Sequence, residues 1–188
     1  MATKAEIREE MRRRRAAVSP QERCAASRAA CRAIAEREEV VRAFAAGLPV
    51  AVYIATEREI DLGPFVREAL AAGAALAAPR WNGVEYEAAA LSSVDELVPG
   101  PMGILEPPNS APVVAPAVWI VPGLAFTADG RRLGYGGGWY DKMLSAAGDG
   151  VTALGVAYPF QIVDELPSES HDIVLNGIIA TDGRYVGD

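Results

Sequence analysis

The chain has 188 residues, of which 51% are hydrophobic and 23% charged, and its mean hydropathy is +0.11. This composition excludes a largely disordered chain, and no apolar run of the sequence approaches the 18 or so residues that cross a bilayer. The net charge is −7, divided into +4 up to Arg42 and −11 beyond it, which argues against a broad nucleic-acid surface. Glu9 and Glu10 interrupt the basic N-terminus and no apolar segment follows it, so we expect no secretory signal. We therefore expect a cytoplasmic protein, a monomer or weak homodimer, with no nucleic-acid or membrane partner.

The first 46 residues are predicted to be helical. One helix is predicted over 3–17 and a second over 19–46, which a Ser-Pro-x-Glu start signal opens. Cys24 and Cys31 lie about 10 Å apart on one face of the second helix, too far apart for a disulfide, and are interpreted as two small core residues. The chain has a single histidine, His171, interpreted as a loop residue, so a zinc site is not favoured.

Short apolar strands then alternate with helices. Strands are predicted over 50–54, 74–78, 117–121, 151–158 and 174–181, helices over 63–72 and 138–147, and a final hairpin turn at 182–183. This alternation is typical of an α/β protein with a mostly parallel sheet. We predict one domain over residues 1–188, with a Rossmann-like three-layer fold, helices on both faces of the sheet and a helical N-terminus. Such sheets bind ligands at the carboxyl ends of their strands.

The segment 121–144 carries the strongest functional signal, because four glycines within positions 134–138 separate a predicted strand from a predicted helix. Glycine lets successive backbone N–H groups point inward, and a helix N-terminus favours negative charge. Arg132 adds a positive charge with bidentate phosphate geometry, and Asp141 supplies a hard oxygen ligand suited to Mg²⁺. The segment therefore predicts a phosphate site with a metal ligand beside it.

The spacing of this loop excludes several familiar sites. It lacks the Walker string GxxxxGK[ST], and Trp139 occupies the third glycine position of GxGxxG. The chain also lacks the GxSxG nucleophile elbow of hydrolases. A flexible connector is the alternative interpretation, but a connector does not need the bulky and charged residues at 132 and 139–141.

Three further constellations are candidates. Lys4 and Arg8 lie one helical turn apart with no acidic residue three or four positions away, which suits a bound anion or a solvated basic face. Glu59 follows a predicted strand, where a carboxylate can bind N–H groups of a substrate or cap the next helix. Asp172 would be a second metal ligand if its strand end lies near Asp141.

At these residues the chain resembles the 5-formyltetrahydrofolate cyclo-ligase family over nearly its whole length. The likeness rests on RLGYGGGWYD at 132–141, with support from the Lys-x-x-x-Arg opening, EID at 59–61, GILEP at 103–107 and VPG at 121–123. It implies a NagB/RpiA/CoA-transferase-like sheet and an ATP- and Mg²⁺-dependent ligase. The implied reaction turns 5-formyltetrahydrofolate into 5,10-methenyltetrahydrofolate through a phosphorylated formyl oxygen and releases ADP and phosphate. A catalytically idle relative that binds folate or nucleotide is the alternative.

The resemblance also implies roles for individual residues. Lys4, Arg8 and Arg132 would be catalytic and would bind ATP. Asp141 and Asp172 would hold Mg²⁺. Ile54 and Glu59 would contact the folate. The remaining ATP-binding residues, of which those from Tyr135 to Trp139 would also face the folate, would be Leu133, Gly134, Tyr135, Gly136, Gly137, Gly138, Trp139 and Tyr140.

Overall fold

The computed structural model describes residues 2–56, 58–169 and 172–187, and His171 lies outside them. The helices in this range are α1 (Lys4–Ala16), α2 (Pro20–Ala35), α3 (Glu38–Ala45), α4 (Gly63–Ala71) and α5 (Trp139–Ala147). The strands are β1 (Val50–Ala51), β2 (Leu76–Trp81), β3 (Tyr86–Leu91), β4 (Val98–Pro99), β5 (Leu105–Glu106), β6 (Val118–Val121), β7 (Ala125–Phe126), β8 (Arg132–Leu133), β9 (Thr152–Ala157), β10 (Gly177–Ala180) and β11 (Tyr185–Gly187). Among these helices none is long and apolar enough to cross a membrane.

Seven strands form one sheet in the order β11-β10-β9-β6-β1-β2-β3. The five inner strands are parallel to one another, and the two outermost pairs, β2 with β3 and β10 with β11, are antiparallel. The pairs β4–β5 and β7–β8 form two small sheets of their own. The prediction of a mostly parallel sheet ending in a hairpin is confirmed.

Alternate residues of the inner strands face opposite layers, as the pleat of a strand requires. On one face Val50 and Val118 belong to the core that also contains residues of α2, α3 and α4. On the other face Ala51 and Trp119 belong to the core that contains residues of α5. The three-layer arrangement with helices on both faces is therefore confirmed.

The prediction of one helix over 19–46 is wrong, because the chain leaves helical geometry between α2 and α3. Arg37 adopts an extended backbone there, with φ −66° and ψ 130°. Its guanidinium pairs with Glu39 at 2.8 Å and lies 3.7 Å from the ring centroid of Tyr185. These contacts are made with the next helix and the last strand. Neither residue between α2 and α3 is a glycine or a proline, so no residue type there indicated the break.

The interpretation of both cysteines as core residues is wrong for one of them. Cys31 is buried, whereas Cys24 is exposed. The buried stripe of α2 begins only at Ser27 and continues through Ala30, Cys31 and Ile34. Because nothing earlier in α2 is buried, the helical face that both cysteines share becomes core only in its second half.

A substitution at Gly155 can test how tightly the centre of the sheet is packed, because this residue lies on β9 against the fully buried Phe126. A Cβ at position 155 would lie 2.7 Å from Phe126 Cε1 and 3.1 Å from Leu175 Cδ1. We expect Gly155→Ala to lower the free energy of unfolding by about 1–3 kcal/mol through overpacking, as measured by urea denaturation. Gly150→Ala is the matched control, since a Cβ there meets nothing within 4 Å. Equal unfolding midpoints for the two variants would contradict the prediction.

Candidate active site

A cavity of about 300 Å³ opens where the chain leaves the carboxyl ends of β1 and β6. The helix after β1 lies on one face of the sheet and the helix after β6 on the other, and ligands of α/β sheets bind at such a switch point. The charged residues of its lining are Glu59, Glu106, Arg132 and Asp141, and the rest is mostly apolar or aromatic. The other lining residues are Tyr53, Ile54, Thr56, Pro79, Tyr86, Ile104, Leu105, Pro122, Gly134, Tyr135, Gly137, Gly138, Trp139, Tyr140 and Met143.

One wall of the cavity is the glycine-rich loop, residues 134–138, which leads into α5. Gly136 and Gly138 have φ values of +115° and +65°, in the region that favours glycine. Gly138 is the N-cap of α5, and no side chain of the described residues caps that end. The first N–H groups of a helix have no partner within the helix, so those of α5 can donate hydrogen bonds to a ligand's oxygens.

Arg132 and Asp141 form a buried ion pair at this wall. Arg132 Nη2 lies 2.8 Å from Asp141 Oδ2, and the two side chains are 4% and 18% exposed. Arg132 Nη1 donates to the Pro122 carbonyl oxygen at 3.4 Å, and the guanidinium lies 5.6 Å from the ring centroid of Tyr140. Its Nε is buried without a hydrogen-bond partner among the described residues. The guanidinium is therefore held in place, with one buried N–H group left unpaired in this part of the chain.

The two predicted cations of α1 lie on the far side of the loop and are absent from the cavity lining. Arg8 Nε donates to the Gly134 carbonyl oxygen at 2.9 Å. Lys4 Nζ pairs with Asp172 Oδ2 at 3.0 Å and with Glu169 Oε1 at 3.2 Å. Burial of Lys4 opposes the effect of these carboxylates, yet they raise the pKa of its ammonium group. The positive charge of Lys4 is thus compensated by carboxylates from the opposite end of the chain.

The two predicted metal ligands lie on adjacent segments. Asp141 Oδ1 accepts from the backbone N–H of Ile173, the residue after Asp172, at 3.4 Å. In the described part of the chain no group of three or more Asp, Glu, His or Cys side chains is arranged to hold a metal. Magnesium at nucleotide sites takes one or two carboxylates, with phosphate oxygens and water as the other ligands. This pair fits such an ion and does not form an all-protein metal cage.

Glu59 is held in a network that links three segments. Its Oε2 accepts from Thr56 N at 2.8 Å and from Thr56 Oγ1 at 3.0 Å. Its Oε1 accepts from the Tyr135 hydroxyl at 2.5 Å, and Arg15 Nη1 donates to the same hydroxyl at 2.5 Å. Desolvation, and next the charge of Glu59, raise the pKa of Tyr135, so its hydroxyl stays a protonated donor at neutral pH.

The remaining predicted residues divide into two groups. Ile54, Trp139 and Tyr140 line the cavity. Leu133 is 2% exposed and packs in a small core between α1 and the β7–β8 pair, so only its backbone is available to a ligand. Gly136 is also absent from the lining.

Comparison with known proteins identifies the family. The chain matches the model of the 5-formyltetrahydrofolate cyclo-ligase family over residues 1–181. It is 30% identical over 179 residues to the 5-formyltetrahydrofolate cyclo-ligase of Escherichia coli K12, covering 90% of this chain and 95% of that protein. The chain belongs to the 5-formyltetrahydrofolate cyclo-ligase family. Two other relatives, from Mycolicibacterium smegmatis (34% identical) and Arabidopsis thaliana (32%), align over 44% and 50% of this chain and over 45% and 41% of their own lengths.

Solved structures agree with this membership of the cyclo-ligase family. The 5,10-methenyltetrahydrofolate synthetase of Aquifex aeolicus superposes with a TM-score of 0.81 at 31% identity, covering 95% of this chain and 89% of that one. The synthetase of Mycoplasma pneumoniae has a TM-score of 0.68 at 20% identity, over 95% and 98% of the two chains, and supports the fold alone. The predicted family and fold are both confirmed.

Sequence reasoning missed three groups that the structure adds to this candidate site. Arg15 is 7% exposed, although it ends a run of four arginines that is typical of a solvated face. The sequence feature that could have indicated Arg15 is its spacing, since it lies seven residues after Arg8 on the same helical face. Trp81 and Tyr86 form an edge-to-face cluster with Trp139, with centroids 5.2–5.4 Å apart. Glu106 lies within the GILEP string, which supported the family resemblance but did not indicate a site residue.

The network around Tyr135 can be tested by removing its hydroxyl. We expect Tyr135→Phe to lower the free energy of unfolding by about 1–3 kcal/mol, because Arg15 and Glu59 are buried and each loses a partner. Tyr158→Phe is the control, since the buried hydroxyl of Tyr158 has no hydrogen-bond partner among the described residues. Urea unfolding measures both variants. A Tyr135 variant as stable as wild type would show that the network contributes nothing to the fold.

Proposed function

We propose that this chain catalyses the ATP- and Mg²⁺-dependent ring closure of 5-formyltetrahydrofolate to 5,10-methenyltetrahydrofolate, with release of ADP and phosphate. The observation that carries the proposal is the position of the Arg132–Asp141 pair. It lies where the glycine-rich loop meets a largely apolar and aromatic cavity. A flat, N–H-bearing ring suits the cavity, while a polyphosphate suits the loop and the cations beside it.

The reaction needs activation because a formamide carbon is a poor electrophile. In the proposed sequence the formyl oxygen attacks the γ-phosphorus of ATP, the bond to the ADP oxygen breaks, and ADP leaves. The N10 lone pair then attacks the formyl carbon. Loss of the N10 proton and departure of the phosphate, with its oxygen, leave the methenyl bridge. Each step therefore balances with ATP as the only co-substrate.

The chain's own residues would stabilise the charge that moves to the phosphate oxygens. Arg132 is already oriented by Asp141 and the Pro122 carbonyl, so little rearrangement is needed when phosphate arrives. The N–H groups of the first turn of α5 would add aligned dipoles. Lys4 and Arg8 would bind the phosphates from α1, exchanging Asp172 and the Gly134 carbonyl for stronger acceptors.

Asp141 and Asp172 would hold Mg²⁺, which when bound neutralises charge on the phosphate oxygens. In the ligand-free arrangement each carboxylate is paired with a cation, Arg132 for Asp141 and Lys4 for Asp172. Binding of MgATP would add a metal ion to the carboxylates and phosphate oxygens to the cations, with Arg132 still oriented by Asp141 and Lys4 released from Asp172. The site can therefore stay electrically compensated before and after binding.

The proposal is tested by mixing the purified chain with 5-formyltetrahydrofolate and MgATP. We expect the absorbance band of the methenyl product to rise only with ATP present, with one ADP and one phosphate formed for each product. No ATP-dependent rise would overturn the proposed activity. Folate or nucleotide binding without turnover, measured by calorimetry, would then identify the catalytically idle relative.

The metal assignment has its own test. We expect Asp141→Asn to lower kcat at least about 100-fold, because an amide is a poor magnesium ligand although its oxygen can still accept from Arg132. The far-UV circular dichroism spectrum should stay that of wild type. Asp149→Asn changes an exposed carboxylate just past the same helix and should leave kcat unaltered. Wild-type kcat in the Asp141 variant would remove this residue from the metal site.

A further inference from the structure

Of the three carboxylates that line the cavity, Asp141 is paired with Arg132, and the other two differ in how much hydrogen-bonding capacity they have left. A carboxylate offers about four acceptor positions. Glu59 already uses three, for Thr56 N, Thr56 Oγ1 and the Tyr135 hydroxyl. Glu106 accepts one hydrogen bond among the described residues, from Trp81 N to Oε2 at 3.2 Å, and its Oε1 accepts none. Glu106 is nevertheless 92% buried, a costly state for a carboxylate with so few partners.

The surroundings of Glu106 are built to place it at the cavity. It lies at the end of β5, paired across from Val98 of β4, and it lines the cavity together with Ile104 and Leu105. The carboxylate packs so closely on Gly100 that a Cβ at that position would overlap it. Burial, and next the charge of Glu106, raise the pKa of Tyr86, another lining residue.

The charge of Glu106 restricts what it can bind. In the described range the residue makes no ion pair with a lysine or arginine, so its negative charge disfavours a phosphate at this part of the cavity and favours a donor of hydrogen bonds. A reduced pterin carries an amino group and ring N–H groups along one edge. Hydrogen bonds from such groups to a buried carboxylate are stronger than those between neutral partners.

We propose that Glu106 is a second folate-binding carboxylate, which accepts hydrogen bonds from N–H groups of the reduced pterin of 5-formyltetrahydrofolate. This inference rests on the proposed function and adds a determinant of substrate affinity to it. The pterin would then be held by Glu106 with Glu59, with its flat faces against the aromatic walls that Tyr86 and Trp139 provide. The phosphate chemistry would stay at Arg132.

Glu106→Gln separates binding from a purely structural role. The glutamine oxygen can still accept from Trp81 N, but an amide nitrogen replaces one acceptor and the charge is lost. We expect the Kd for 5-formyltetrahydrofolate, measured by calorimetry without ATP, to rise about 10- to 100-fold. The Kd for MgATP should stay within about twofold of wild type, and the rise in KM should be confined to the folate. Glu85→Gln, on the exposed turn before β3, is the control and should change neither constant.

A second variant tests the placement of the carboxylate without altering it chemically. Gly100 has φ −95°, which alanine adopts without strain, so Gly100→Ala acts by displacing Glu106. We expect it to weaken folate binding as well, whereas Gly150→Ala should not.

A wild-type folate Kd in Glu106→Gln would overturn the inference while leaving the proposed function intact. A wild-type protein that neither binds nor converts 5-formyltetrahydrofolate would overturn the proposed function, and this inference with it.

Discussion

The buried pair of Arg132 and Asp141 is the interaction on which the site depends. Removing a charged group from water costs several kcal/mol, and a partner at 2.8 Å offsets that cost only if hydrogen bonds also satisfy the remaining donors. Here the guanidinium is also tied to the Pro122 carbonyl, while its Nε has no partner among the described residues. The pair thus joins the end of β6, strand β8 and the first turn of α5 into one rigid unit. The glycine-rich loop between them is fixed at both ends.

Charge is distributed along the cavity in a way that separates two kinds of ligand. Glu59 and Glu106 line one part of it, whereas Arg132 lies at the loop, with Lys4 and Arg8 beyond the loop on α1. The two carboxylates disfavour an anion and favour a ring rich in N–H groups, whereas the loop offers an anion backbone N–H groups and cations. A substrate pair made of an N–H-bearing ring and a polyphosphate would therefore be oriented by electrostatics before any close contact forms.

Helix α1 completes the site because one of its faces is directed at the loop. Lys4, Arg8, Met11 and Arg15 follow the spacing of a single helical stripe. Met11 is buried in a small core with Leu124 and Leu133, while Arg8 and Arg15 reach the loop through the Gly134 carbonyl and the Tyr135 hydroxyl. Through the Tyr135 hydroxyl the same helix is also linked to Glu59, so α1, the loop and the segment after β1 form one hydrogen-bonded network.

The sequence alone determined the α/β class, the mostly parallel sheet, the family and the glycine-rich loop, because each of these depends on residues that are neighbours in the chain. Periodicity could not find the break at Arg37 or the exposure of Cys24, since both depend on what packs against the helices. The partner of Lys4 lies 168 residues away, and Arg15 and Glu106 become site residues only when α1 and β5 meet the cavity. Only the tertiary structure decided these points, because burial and charge pairing between distant segments leave no local pattern in the sequence.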